Sequence, residues 1–121
     1  MKILLAEDDK HLGMILKKSL EEEDGYIVDL VTDGVEAVSS FMDNAYDFVL
    51  LDIKMPKLDG ISALKLIKKT NPNVPAVTFS GNAGSSEMLD SIKAGAHIVL
   101  SKPFEIAQLK EQIKKYCSSK W

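Results

Sequence analysis

Four short apolar runs in the 121-residue chain each stop at residues able to do chemistry. Ile3-Leu4-Leu5-Ala6 stops at Glu7-Asp8-Asp9, and Phe48-Val49-Leu50-Leu51 stops at Asp52. Pro75-Ala76-Val77-Thr78-Phe79 stops at Ser80, and Ile98-Val99-Leu100 stops at Ser101-Lys102. Gathered in one crevice, these residues supply two or three carboxylates, a hydroxyl and an ammonium. Clustered carboxylates repel one another and raise each other's pKa. A divalent cation relieves the repulsion, and hard oxygen donors with few protein ligands suit Mg²⁺, which keeps waters and favours a phosphate partner. Lys102 adds a point charge suited to a phosphate oxygen, and Ser80 adds a hydrogen-bond donor. This is equipment for moving a phosphoryl group, where positioning and charge neutralisation dominate. A carboxylate can itself be the nucleophile, giving an acyl phosphate. Singly, each residue has a plainer reading: an acid after a strand is most often a helix cap, and Pro103 after Lys102 stops a strand. Their joint occurrence at four strand ends favours the functional reading.

The elements that must position these residues alternate in type. Ile3–Ala6 and Phe48–Leu51 are too short for helices and lack polar alternation, as strands buried on both faces do. Tyr26-Ile27-Val28-Asp29-Leu30-Val31 is β-rich, and Thr32-Asp33 after it reads as turn and cap chemistry. Between the strands run helical patterns: Leu12, Ile15, Leu16 and Leu20, ended by Asp24-Gly25; Val35, Val38, Phe41 and Met42; Ile61, Leu64 and Ile67 with Leu66, ended by Asn71-Pro72. Met88, Leu89 and Ile92 follow, with Gly95 expected at the C-cap; Ile106, Leu109, Ile113 and Tyr116 form the last. The pattern is (βα) five times, which argues a parallel sheet covered by helices on both faces. Ligands of such open sheets sit beyond the carboxyl ends of the strands.

Composition narrows the function classes. With 15 Lys+Arg against 18 Asp+Glu the formal charge is −3, a poor match to broad nucleic-acid binding. The apolar fraction of 45% fills one core, so residues 1–121 are expected to be one domain. The single cysteine, Cys117, fits a reducing compartment. Acids arrive too early for a signal peptide and no apolar run spans a bilayer, so a cytoplasmic protein with no membrane partner is expected.

Leu5-Ala6-Glu7-Asp8-Asp9, then Leu51-Asp52-Ile53-Lys54-Met55-Pro56-Lys57-Leu58-Asp59-Gly60, then Ser80, Ala94-Gly95-Ala96 and Lys102-Pro103-Phe104 resemble the receiver domain of two-component response regulators, the CheY-like superfamily. The resemblance runs the length of the chain. It implies a flavodoxin-like (βα)5 three-layer sandwich with strand order 2-1-3-4-5. It implies Asp52 as phosphoacceptor, Asp8 and Asp52 as direct Mg²⁺ ligands, Glu7 acting through water, and the Lys54 carbonyl completing the protein's share. Ser80 matches the switch hydroxyl and Lys102 the lysine that pairs with the phosphoryl group, after a cis Lys102-Pro103 bond. Asp9 is left a capping role, and Gly60 a tight turn. The implied partners are a sensor histidine kinase or histidine phosphotransfer protein and a downstream protein, with no direct DNA binding and a monomeric or weakly dimeric state. The implied role is a phosphoacceptor switch rather than a turnover enzyme.

Several positions depart from the family pattern. Val99 stands where members commonly carry Tyr or Phe, and a β-branched side chain has no ring to swing. His97 and Ile98 stand where many DNA-binding members carry acids for dimer salt bridges. Lys54 and Asn82 lie where members of that family tune hydrolysis of the phospho-aspartate. Lys17-Lys18, Lys68-Lys69, Lys114-Lys115 and Glu21-Glu22-Glu23-Asp24 read as solvated helix faces, Met14 and Leu16 suit a kinase docking helix, and Cys117 and Trp121 carry no motif. Three other readings compete with this one. An aspartyl-phosphate phosphatase would carry a second Asp where Lys54 stands. A flavin carrier would need a phosphate loop where Glu7-Asp8-Asp9 would repel phosphate. A receiver-like domain acting by binding alone would not need the intact acidic pair.

Overall fold

In the computed structural model, which describes residues 1–81 and 86–118, five strands alternate with five helices. They are β1 (Lys2–Ala6), α1 (Lys10–Asp24), β2 (Ile27–Val31), α2 (Gly34–Asp43), β3 (Phe48–Asp52), α3 (Gly60–Thr70), β4 (Ala76–Ser80), α4 (Ser86–Ala94), β5 (Ile98–Ser101) and α5 (Ile106–Ser118). Asn82, the Cys117 side chain and Trp121 lie outside the described residues.

All strand pairs are parallel, in the order β2-β1-β3-β4-β5, as the resemblance implies. Period-two alternation divides the apolar side chains between two cores. Ile3, Leu5, Phe48, Leu50, Val77, Phe79 and Leu100 face Leu16 and Leu20 of α1 and Leu109 and Ile113 of α5. Leu4, Ala6, Val49, Leu51 and Ala76 face Ala37 and Phe41 of α2 and Leu64 and Ile67 of α3. Each fully buried leucine contributes about 1.5–3 kcal/mol relative to an exposed one.

Helix ends follow the local chemistry. Asp9, Asp33 and Asp59 cap α1, α2 and α3 by accepting from backbone N–H groups of His11 and Leu12, Glu36, and Ser62 respectively. Gly25 ends α1 at φ +70°, the left-handed region that glycine enters without strain. Gly95, at φ +115°, follows α4 as expected.

Three helix faces differ from the sequence reading. In α2, Val35 and Met42 are exposed and Ala37 joins Phe41 inside; alanine lets the helix approach the sheet closely. In α1, Ile15 is exposed and Gly13 is buried, packed so near Leu30 that a Cβ would meet its side chain at 2.9 Å. In α4, Leu89 and Ile92 are exposed and Ser91 is buried. A short helix that covers one edge of the sheet keeps only a narrow stripe inside. β4 also runs one residue past the apolar segment, so Ser80 is its last residue rather than a loop residue.

Candidate functional site

The cleft at the carboxyl ends is assembled from four neighbouring strands. Glu7 and Asp8 follow β1 directly, and the Glu7 N–H continues the sheet by donating to the Val31 carbonyl at 3.0 Å. Asp52 is the last residue of β3 and shares the parity of Phe48 and Leu50. Ser80 ends β4, and Lys102 follows β5, its N–H donating to the Ser80 carbonyl at 2.7 Å. The Lys102-Pro103 bond is cis.

One carboxylate oxygen each from Glu7, Asp8 and Asp52 lies within 4.8 Å of the others. The Lys102 ammonium sits 2.8 Å from Glu7 Oε1 and 3.1 Å from Asp52 Oδ2. Glu7 is fully buried and Asp52 is 4% exposed, while Asp8 opens to solvent. Burial first, then hydrogen bonding with Glu7 and its charge, push the Asp52 carboxyl up to about 8; Asp8 adds to the rise and Lys102 opposes it. Burial pulls the Lys102 ammonium down, but Glu7 and Asp52 together outweigh it and hold it above its ordinary value. The three acids and one lysine carry a formal charge of 1 − 3 = −2 when ionised, the complement of one divalent cation.

The cleft fits such a cation on a second ground. Glu7 Oε1 is buried with no hydrogen bond of acceptable geometry among the described residues, although Lys102 is close enough to pair with it. Three hard carboxylate oxygens gathered around a single ammonium are a donor set that suits Mg²⁺.

The structure brings together five of the sequence-expected residues at one end of the sheet: Glu7, Asp8, Asp52, Ser80 and Lys102. Lys54 lies two residues beyond Asp52 with its side chain exposed. Gly60 allows the tight turn into α3 through close backbone approach. Its φ is not left-handed; instead a Cβ there would stand 2.1 Å from the Asp52 carbonyl oxygen, so only glycine lets the loop return against the end of β3. The Gly60 N–H closes that loop on the Ile53 carbonyl at 2.8 Å. Asp9 caps α1 as expected, its own N–H donating to Glu7 Oε2 at 3.2 Å.

One residue of the site was missed in the sequence. The Ser80 hydroxyl donates to Glu87 Oε1 at 3.3 Å, in the first turn of α4. An acid in a helix's first turn is expected for the helix dipole alone, so nothing in the sequence marked Glu87 as a partner of Ser80. Val99 is buried in β5 opposite Thr78 of β4. His97 also has a structural place: Nδ1 accepts from the Ala76 N–H at 3.3 Å and the ring packs 4.7 Å from that of Tyr116.

A five-stranded parallel sheet in this order, with an acidic cleft and lysine at its carboxyl end, defines a receiver-type domain. The comparisons agree. The family model for the response regulator receiver domain matches residues 3–114, and the chain belongs to that family. The transcriptional regulatory protein RprY of Bacteroides fragilis is 32% identical over 114 residues, covering 94% of this chain and 48% of RprY. The chain thus spans about half the length of the curated relatives it matches. The receiver domain of a Francisella response regulator superposes with a TM-score of 0.90 at 33% identity, covering 99% of this chain and 98% of that one. The receiver domain of a Pseudomonas aeruginosa sensor histidine kinase, solved with a magnesium ion coordinated in its active-site cleft, gives 0.86 at 32% identity, covering 97% of each chain. No helix among the described residues is long and apolar enough to cross a membrane.

Proposed function

We propose that this receiver domain takes a phosphoryl group onto Asp52 from a phosphohistidine on a histidine kinase or phosphotransfer protein. One observation carries the reading: three carboxylates converge within 4.8 Å, and Lys102 touches two of them. In the transfer, a carboxylate oxygen of Asp52 forms the new P–O bond as the P–N bond to the donor imidazole breaks. The imidazole nitrogen keeps the bonding electron pair. Lys102 is placed to pair with oxygens of the moving group, where positioned charge supplies most of the catalysis. Glu7, Asp8 and Asp52, with the Lys54 carbonyl, would hold Mg²⁺, which supplies charge neutralisation at the phosphoryl oxygens. Burial and the acidic neighbours keep Asp52 protonated more readily than an ordinary carboxyl, so cation binding also readies the nucleophile.

The test is intact mass after incubation with Mg²⁺ and acetyl phosphate. One added phosphoryl group is expected, absent in Asp52→Asn and in chelator. A folded wild type that binds Mg²⁺ yet gains no mass, from acetyl phosphate or from a phosphorylated histidine donor, would instead favour a domain that acts by binding alone.

Ser80 links the acceptor to the outer surface in this reading. Its hydroxyl bonds Glu87 in the unphosphorylated domain and turns to a phosphoryl oxygen afterwards. The hydrogen bond to α4 is then broken at the moment the acceptor is charged, a local charge event with a readout in packing. Glu87→Ala is expected to shift the amide resonances of Ser80, Gly81 and the first turn of α4 part-way towards their positions in the beryllofluoride adduct. Resonances that stay at their wild-type positions would remove Glu87 from the switch.

A further inference from the structure

We infer that the groove between α3 and α4 binds a compact polyanion with an apolar ring body, of the nucleoside polyphosphate class. The groove is open to solvent and offers about 550 Å³, within the range of small-ligand sites (about 300–1,000 Å³). Lys65 and Lys69 line it from α3, one helical turn apart, and Lys93 faces them from α4. No carboxylate among the described residues lines it. Among the described residues none of these three lysines is in an ion pair.

Three ammonium groups thus border one groove with no acid paired to them. Lys69 and Lys93 lie near helix C-termini, where a cation is favourable on its own account. Lys65 lies in mid-helix and has no such reason to be there. Lysine is a point-charge phosphate binder. Three such charges spread over two helices match a string of phosphates better than a single carboxylate.

The floor of the groove is apolar. Leu66 is 43% exposed there, beside Ala94 and the aliphatic stem of Lys68. The Lys68 ammonium itself is turned away, donating to the Val74 and Pro72 carbonyls. The Ser62 hydroxyl is likewise committed, donating to Asp59 at 2.9 Å. An occupant thus needs an apolar face for the floor and negative charge for the rim. A volume of about 550 Å³ is of the order that a nucleotide-sized ligand fills.

The site lies apart from the acceptor cleft, so its test is independent of phosphoryl transfer. ATP is titrated into chelator-treated, isotope-labelled protein, with amide shifts read by NMR. Saturable shifts are expected in α3 and in Lys93–Gly95, tightening as salt is lowered. Tripolyphosphate should bind several-fold more weakly and adenosine more weakly still. In Lys65→Gln/Lys69→Gln/Lys93→Gln, whose positions are all exposed, affinity should fall by roughly tenfold or more. Shifts confined to the Asp52 cleft, shifts unchanged in the triple variant, or tripolyphosphate binding as tightly as ATP would each overturn the assignment.

Discussion

Lys102→Met is expected to slow phosphoryl acceptance by Asp52 on the order of a hundredfold or more, the usual cost of losing one group that stabilises transition-state charge. It is also expected to weaken the fold in the absence of metal. The ammonium lies 2.8 Å from a fully buried Glu7 and 3.1 Å from a nearly buried Asp52. Removing one partner of a buried ion pair costs about 3–5 kcal/mol, because the other charge is left uncompensated. The Lys102 side chain is 26% exposed, and solvent screening reduces this to about 1–3 kcal/mol. Methionine keeps the length and apolar stem of the side chain, so packing is largely retained. The melting temperature in chelator should fall by roughly 5–10 °C. Mg²⁺ should restore most of that loss without restoring the transfer rate. Thermal melts with and without chelator, beside the rate of mass gain from acetyl phosphate, separate the two effects. Unchanged melting in chelator would show that Lys102 does not compensate the buried acids.

Asp52→Asn should have the opposite effect on stability. The Asp52 carboxyl is raised from an ordinary 3.8 to about 8 by burial and by Glu7 and Asp8. The unfolded chain releases that proton near pH 4, whereas the metal-free fold holds it to about pH 8. The protonated group's contribution is therefore complete below pH 4 and is lost progressively as pH rises through 8. Metal-free wild type should melt lower at pH 8 than at pH 5. Asn cannot ionise, so its melting temperature should vary less over that range and exceed wild type by roughly 5–10 °C at pH 8. Saturating Mg²⁺ should narrow the difference by stabilising only the ionised wild-type cleft. Parallel pH profiles of wild type and variant in chelator would rule out Asp52 as the source of the dependence.

Both expectations use residues that the sequence exposed. Glu7, Asp52, Ser80 and Lys102 were legible because each interrupts an apolar run, and the end of a buried strand is where a parallel sheet places its site. Strand existence was legible for the same reason: Ile3–Ala6 and Phe48–Leu51 have no polar face to hide. The phases of α2 and α4 were not, because Val35, Met42, Leu89 and Ile92 are apolar and yet exposed, and periodicity alone cannot say which edge of an apolar stripe meets the sheet. Glu87 was illegible for another reason. Its partner Ser80 is seven residues away across a strand end, a spacing that no local hydrogen-bonding motif uses. The role of Gly60 was legible as glycine but not as to cause, since a clash with the Asp52 carbonyl depends on how a loop folds back rather than on its own φ.

The contact between Lys102 and Glu7 joins residues 95 positions apart in the sequence (102 − 7 = 95) and reaches across the two strands between β1 and β5. Such long-range pairings close late, after the local contacts that carry less chain entropy. A chain emerging from the ribosome therefore holds its acids without their ammonium until β5 and the residue after it are free to join the sheet. Under the proposed function, the lysine of the phosphoacceptor site is thus the last of its charged groups to reach the cleft.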